Sequence, residues 1–164
     1  MFRKGDVLCF LKTRHIFGQA ISVFTGSDVV HVGICLGPRY FLESSVRGVR
    51  ISLISKALKR KQKIIHCQLK NEDYNKIVHN QKLFDDCVEE ELHKPYDFRQ
   101  IGQFVLNIFS FGAYKPAEDN KLNVCSELVA YLFEKVGILK DVNTSLYTPK
   151  DIFNLDYKRR RNLK

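Results

Sequence analysis

A chain of 164 residues is long enough to bury a substantial core within one domain. Its 45% hydrophobic and 12% aromatic residues exclude a disordered or fibrous protein. Twenty-seven Lys and Arg against 18 Asp and Glu give a net charge of +9, which favours an anionic partner. No apolar run reaches the ~18 residues of a membrane span, and the first residues lack the apolar stretch of a signal peptide, so we expect a cytoplasmic protein.

The first half of the chain predicts strands and turns. Apolar alternation places strands over residues 7–11, 29–36, 40–44, 48–54 and 63–69. A helix is expected over residues 14–24, and a short basic helix precedes the last of these strands. The turn at residues 37–39 joins the second and third strands as a hairpin.

The second half is mainly helical. One long pattern runs over residues 71–92 with Asn71 as its cap, and a second covers 97–108 after a capping-box signature. The last substantial helix spans 124–136, and Thr148 with Pro149 begins a short one. Because strands and helices are segregated, we predict an α+β domain with an antiparallel sheet packed against helices. A single domain over residues 1–157 is then followed by a basic tail, 158–164.

Positive charge is concentrated in two stretches, and we expect them to form a solvated face suited to an anionic surface. The residues are Lys56, Lys59, Arg60 and Lys61 in the first stretch and Arg159, Arg160 and Arg161 in the second. Since the second stretch offers no aromatic interleaving beyond Tyr157, a stable nucleic-acid complex is not expected.

The five cysteines indicate a search for a nucleophile rather than for a disulfide framework. Their number is odd, their spacing is wide and no C-x-x-C pair occurs, so neither disulfides nor a zinc ribbon is expected. No metalloprotease, P-loop or dinucleotide motif appears, and we expect no metal or cofactor. The thiols are Cys9, Cys35, Cys67, Cys87 and Cys125.

Cys125 is the strongest candidate nucleophile. It lies in the first turn of its predicted helix, where unpaired backbone N–H groups stabilise a thiolate and can hold an oxyanion. The alternative is a small buried core residue, which is what most free cysteines are.

His31 is the matching candidate base, on the strand face opposite the apolar side chains and beside Gly33, which leaves space above the sheet. If Leu36 pairs with Tyr40 in the hairpin, Glu43 lies one diagonal step from His31 and can orient its ring. The alternative is a structural histidine. His66 is excluded as the partner of a thiol next to it, since neighbours on a strand point to opposite faces.

The order of these segments resembles the circularly permuted NlpC-like papain fold, and most closely its YiiX/YebB-like bacterial branch. The lecithin retinol acyltransferase group and a poxvirus protein are more distant relatives. The resemblance covers residues 5–153 and rests on Gly5-Asp6, His31-Val32-Gly33-Ile34, Glu43-Ser44, Gly48-Val49, Pro95-Tyr96-Asp97 and Asn123-Val124-Cys125-Ser126-Glu127-Leu128-Val129.

The resemblance implies a cysteine hydrolase of amide or ester bonds that acts through a thioester. Cys125 would be the nucleophile, His31 the base and acid, Glu43 the orienting residue and Tyr96 a residue of the substrate cleft. Two alternatives stay open: a thiol-dependent acyltransferase, and a non-catalytic basic module that binds anionic lipid or nucleic acid. The candidate substrates are a peptide, an acylated amine and a lipid, and the sequence is compatible with a phage or viral origin.

Overall fold

The computed structural model describes residues 1–13, 22, 26–45, 47–60, 62–94 and 125–163. These residues form one six-stranded sheet with helices on both faces. The strands are β1 (Val7–Leu11), β2 (Val29–Cys35), β3 (Tyr40–Ser45), β4 (Gly48–Leu53), β5 (Ile64–Gln68) and β6 (Arg159–Asn162).

Every strand pairing in the sheet is antiparallel, and the strand order is β4-β3-β2-β1-β5-β6. Strands β1 to β5 match the predicted ones to within one residue at each end, because their apolar alternation is that of half-buried strands. The α+β class with an antiparallel sheet is confirmed.

The helices are α1 (Ile54–Lys59), α2 (Asn71–His79), α3 (Gln81–Glu91), α4 (Cys125–Lys135) and α5 (Pro149–Asn154). Two cores separate them. The larger core joins α2 to α5 to the face of the sheet that carries Val32 and Ile34. The smaller core packs α1 against the opposite face, around Leu8 and Phe10. The sheet therefore lies between two helical layers of unequal size.

The helical pattern over residues 71–92 is not one helix, and this part of the prediction was wrong. Asn80, at φ −106° and ψ 30°, ends α2 and precedes α3. The cap of α2 is Lys70, and Asn71 is its first helical residue. The periodicity survives the break because Ile77, Phe84 and Val88 are all buried in the same core.

The end of the chain departs from the predicted tail. Thr148 caps α5 as expected, and its hydroxyl accepts a hydrogen bond from the Asp151 amide. Beyond α5, residues 159–162 form β6 and pair with β5 from Gln68↔Arg159 to Ile65↔Asn162. These residues therefore belong to the sheet, since their backbone groups complete its edge.

Two predicted helices, over residues 14–24 and 97–108, lie outside the described residues except for Ser22, which is helical. Tyr96 also lies outside them. Within the described parts of the chain, no helix is both long and apolar enough to cross a membrane.

Candidate active site

Cys125 is buried at the start of the described part of α4. Hydrogen bonding from the backbone of Val32 and Ser126 stabilises its thiolate form and so lowers its pKa. An amide in the interior of a helix is occupied by the carbonyl four residues earlier, so the Ser126 bond is typical of a first helical turn. The thiol thus lies where α4 meets β2.

The hairpin of β2 and β3 has the register that the sequence predicts. Ile34 pairs with Leu42, Cys35 pairs with Phe41, and the Leu36 amide donates to the Tyr40 carbonyl. The paired region ends there, while β3 pairs with β4 along its whole length. Before Ile34 the two strands are not paired, and α4, which carries Cys125, contacts both of them.

His31 bridges Cys125 and Glu43. Its Nε2 atom lies 2.9 Å from Oε2 of Glu43, and the charge and hydrogen bonding of the Cys125 thiolate act on the same ring and raise its pKa. Since Glu43 occupies Nε2, Nδ1 is the nitrogen left for the sulfur. The His31 side chain is 22% exposed and that of Glu43 only 1%. The expected contact between His31 and Glu43 is confirmed; the role of these residues in catalysis stays a prediction.

Glu43 is held by two further side chains that sequence reasoning missed. Its Oε1 atom accepts bonds of 3.1 and 2.9 Å from Nε and Nη2 of Arg50 and one of 2.7 Å from Oγ of Ser52. The register of β3 and β4 places Glu43 opposite Arg50. A second hairpin, in which Ser45 pairs with Gly48, was the signal that identifies Arg50 when its residues are counted outward in the same way as in the first.

The electrostatics of the three groups favour a thiolate and an imidazolium. Burial raises the pKa of the Cys125 thiol, but the charge and hydrogen bond of His31 outweigh it, and this pKa is lowered overall. Burial lowers the pKa of His31, but the thiolate and Glu43 together raise it to about 10. Burial also opposes ionisation of Glu43, yet His31, Ser52 and Arg50 bring its pKa down to about 2.

The space expected above Gly33 is filled. A Cβ atom at this position would lie 2.7 Å from Cδ2 of Phe41 and 2.9 Å from the carbonyl oxygen of Leu42. Gly33 therefore lets Phe41 cross β2 at close range and does not leave a cavity. The prediction of open space was wrong because the ring of Phe41, on the neighbouring strand, occupies that space.

The other four cysteines are free and buried, like Cys125. Burial raises the pKa of Cys35 well above its ordinary value. Sγ of Cys9 lies 3.7 Å from Sγ of Cys67, and this contact, with a contribution from Arg160, lowers the pKa of Cys67. Cys125 differs from them because, among the residues that the structure describes, it alone combines a thiol with a histidine and two backbone donors.

The remaining histidines are distributed as predicted where they are described. His79 and His93 are exposed, and His66 lies on the face of β5 opposite Cys67. His66 is nevertheless not isolated: its Nε2 atom lies 2.9 Å from Oδ2 of the buried Asp6. This second histidine–carboxylate pair was missed because its residues are on β5 and before β1, which no local turn connects.

Over the described ranges, no group of three or more His, Cys, Asp or Glu side chains is placed to hold a metal ion.

The fold has a counterpart among solved structures. The crystal structure of metalloprotein YiiX from Escherichia coli O157:H7 superimposes with a TM-score of 0.56 at 20% sequence identity, over 84% of this chain and 68% of that one. The two chains share a fold. No known family profile matches the sequence, and no curated protein matches it either. At this level of identity the likeness to YiiX carries the architecture alone.

Proposed function

We propose that the protein is a papain-like cysteine hydrolase that cleaves an amide or ester bond. The observation that carries the proposal is His31, whose ring contacts the Cys125 thiol on one side and the Glu43 carboxylate on the other. This is the arrangement of nucleophile, base and orienting acid that covalent catalysis requires. The shared fold with YiiX supports a permuted papain-like architecture.

The chemistry follows from the ionised pair. The Cys125 thiolate attacks the carbonyl carbon, and the carbonyl π electrons move to oxygen to form an oxyanion. We expect backbone N–H groups at the start of α4 to stabilise that oxyanion. The His31 imidazolium gives its proton to the leaving amine or alkoxide as the carbon–heteroatom bond breaks, and a thioester remains.

The second half of the reaction regenerates the enzyme. Neutral His31 takes a proton from water as the oxygen attacks the thioester, and the thiolate leaves with the electrons of the carbon–sulfur bond. Glu43 keeps Nε2 of His31 hydrogen-bonded, so Nδ1 stays directed at the sulfur. Arg50 and Ser52 hold the other carboxylate oxygen.

A trapped acyl group tests the proposal. The protein is mixed with p-nitrophenyl acetate and, separately, with p-nitrophenyl octanoate, and intact mass with peptide mapping locates the adduct. We expect one acyl group on Cys125, lost in Cys125→Ser and retained in the matched Cys87→Ser. Acylation spread over lysines, or equal in both variants, would contradict a nucleophilic role for Cys125.

The fate of the acyl group separates hydrolysis from acyl transfer. With the ester present, release of the free acid in plain buffer is the expected result. If the acid forms only slowly and an added primary amine collects the acyl group, the acyltransferase alternative is correct. A protein with no adduct and no turnover would instead favour the non-catalytic basic module.

A further inference from the structure

A cleft away from the candidate active site is built from basic and polar side chains. It has a volume of about 80 Å³ and is lined by Met1, His66, Gln68, Arg159 and Arg161. The register of β5 and β6 places His66 opposite Arg161 and Gln68 opposite Arg159. These four side chains therefore share one face of the sheet, on the far side of β1 from β2 and β3.

The guanidinium groups of the two cleft arginines are available to a ligand. Arg159 and Arg161 are exposed, and neither guanidinium has a carboxylate partner among the described residues. Arg160, between them, points to the other face: it donates to the carbonyl oxygens of Phe153 and Leu155. The strand thus separates one structural arginine from two that are available to a ligand.

His66 is the fixed element of this cleft. The residue is 4% exposed, its Nε2 atom is bonded to Asp6 at 2.9 Å, and Phe2 packs edge-on against its ring at 4.8 Å. Asp6 is itself held by the backbone amides of Arg3 and Leu69. With Nε2 occupied and the ring orientation fixed, Nδ1 is the nitrogen available to a ligand.

We propose that this cleft binds a phosphate group. Among the described residues, no acidic side chain lines it. The two guanidinium groups donate hydrogen bonds, and Nδ1 of His66, whose Nε2–H is used by Asp6, can accept one from a protonated phosphate oxygen. A tetrahedral phosphate has enough oxygens to meet all three, whereas a carboxylate has only two. Because the cleft is small and none of the described Phe or Tyr side chains lines it, it suits a single phosphate rather than a nucleic-acid strand.

Calorimetry with inorganic phosphate, at constant ionic strength, tests the site. The double variant Arg159→Gln/Arg161→Gln removes both guanidiniums, and Arg39→Gln/Arg47→Gln removes the same charge from two exposed turn arginines. We expect the first variant to lose at least about tenfold in affinity, since each charge-assisted bond supplies about that factor. The control variant should stay within about twofold of the wild type.

Two further measurements make the outcome specific. In nuclear magnetic resonance spectra, phosphate should shift the ring signals of His66 and leave those of the exposed His79 in place. Binding of the protein to vesicles of phosphatidylcholine, with or without phosphatidic acid, identifies where the phosphate comes from. Binding to phosphatidic acid vesicles that requires both arginines indicates a lipid headgroup. Binding of free phosphate alone indicates a soluble ligand. No saturable binding in either arm, or equal loss in both double variants, would overturn the proposal.

Discussion

The molecule contains two histidine–carboxylate pairs with the same central distance and different surroundings. His31 and Glu43 are 2.9 Å apart, and so are His66 and Asp6. The first pair has a thiol on the free side of its ring, whereas the second has a cleft with two arginines. A histidine held by a buried acid is therefore not a catalytic signature by itself. The third partner decides what the ring can do.

The acids of the two pairs are also held differently. Glu43 is supported by the side chains of Arg50 and Ser52, and Asp6 by the backbone amides of Arg3 and Leu69. Asp6 directly precedes β1, and the Leu69 amide that it binds directly follows β5, so this pair also joins the two strands. We expect the first pair to control reactivity and the second to control stability and ligand binding.

Cys125→Ser should produce the largest effect. Loss of a nucleophile removes the whole covalent pathway, and we expect ester turnover to fall at least about a thousandfold. The fold should survive because the hydroxyl replaces one sulfur atom at a helix end. The checks are steady-state kinetics and thermal melting, with Cys87→Ser as the control. Full turnover in folded Cys125→Ser would show that the thiol belongs only to the core.

Glu43→Gln should lower turnover about a hundredfold, because the amide keeps the shape but loses the charge that stabilises imidazolium. Substrate binding should change less than turnover. Unchanged turnover would mean that another group orients His31.

The Glu43 carboxylate should also make the free energy of unfolding depend on pH. The pKa of Glu43 is lowered from 4.5 to about 2, so its stabilising effect is complete above pH 4.5 and is lost as the pH falls through 2. The shift corresponds to at most about 3 kcal/mol of unfolding free energy. Denaturant titrations between pH 5 and 2 should show this loss in the wild type and a smaller one in Glu43→Gln.

Asp6→Asn should separate stability from reactivity. It removes the charge from a fully buried group that three donors hold, and we expect a cost of about 3 kcal/mol. Alkylation of Cys125 in the folded variant should keep the wild-type rate. If that rate falls together with the stability, the two pairs are not independent.

Ser52→Ala should have the smallest effect. It removes one 2.7 Å bond to Glu43 and leaves both bonds from Arg50, so a loss of about 1 kcal/mol in stability and about threefold in turnover is expected. Lys12→Gln, which breaks an exposed ion pair with Asp28, is the control and should change neither. A hundredfold loss in Ser52→Ala would assign the orienting role to Ser52.

The sequence predicted what local patterns determine. Alternation marked β1 to β5, and counting outward from the turn at residues 37–39 placed His31 near Glu43. The pairing of strands that no short turn connects cannot be counted in this way. Strand β1 pairs with β5, and this pairing brings Asp6 to His66. Likewise, the three arginines of β6 carry no strand alternation of their own, and only their pairing with β5 makes them a strand.

The rate of Cys125 alkylation by iodoacetamide against pH, followed by peptide mass spectrometry, tests the central claim most directly. In the wild type the rate should rise below the ~8.5 of a free cysteine, because imidazolium and backbone donors stabilise the thiolate. His31→Ala should move the rise to about 8.5 or higher, while His66→Ala should leave it in place, with His79→Ala as a second control. A wild-type profile with a single step near pH 8.5 that is insensitive to His31→Ala would contradict a catalytic pair of Cys125 and His31.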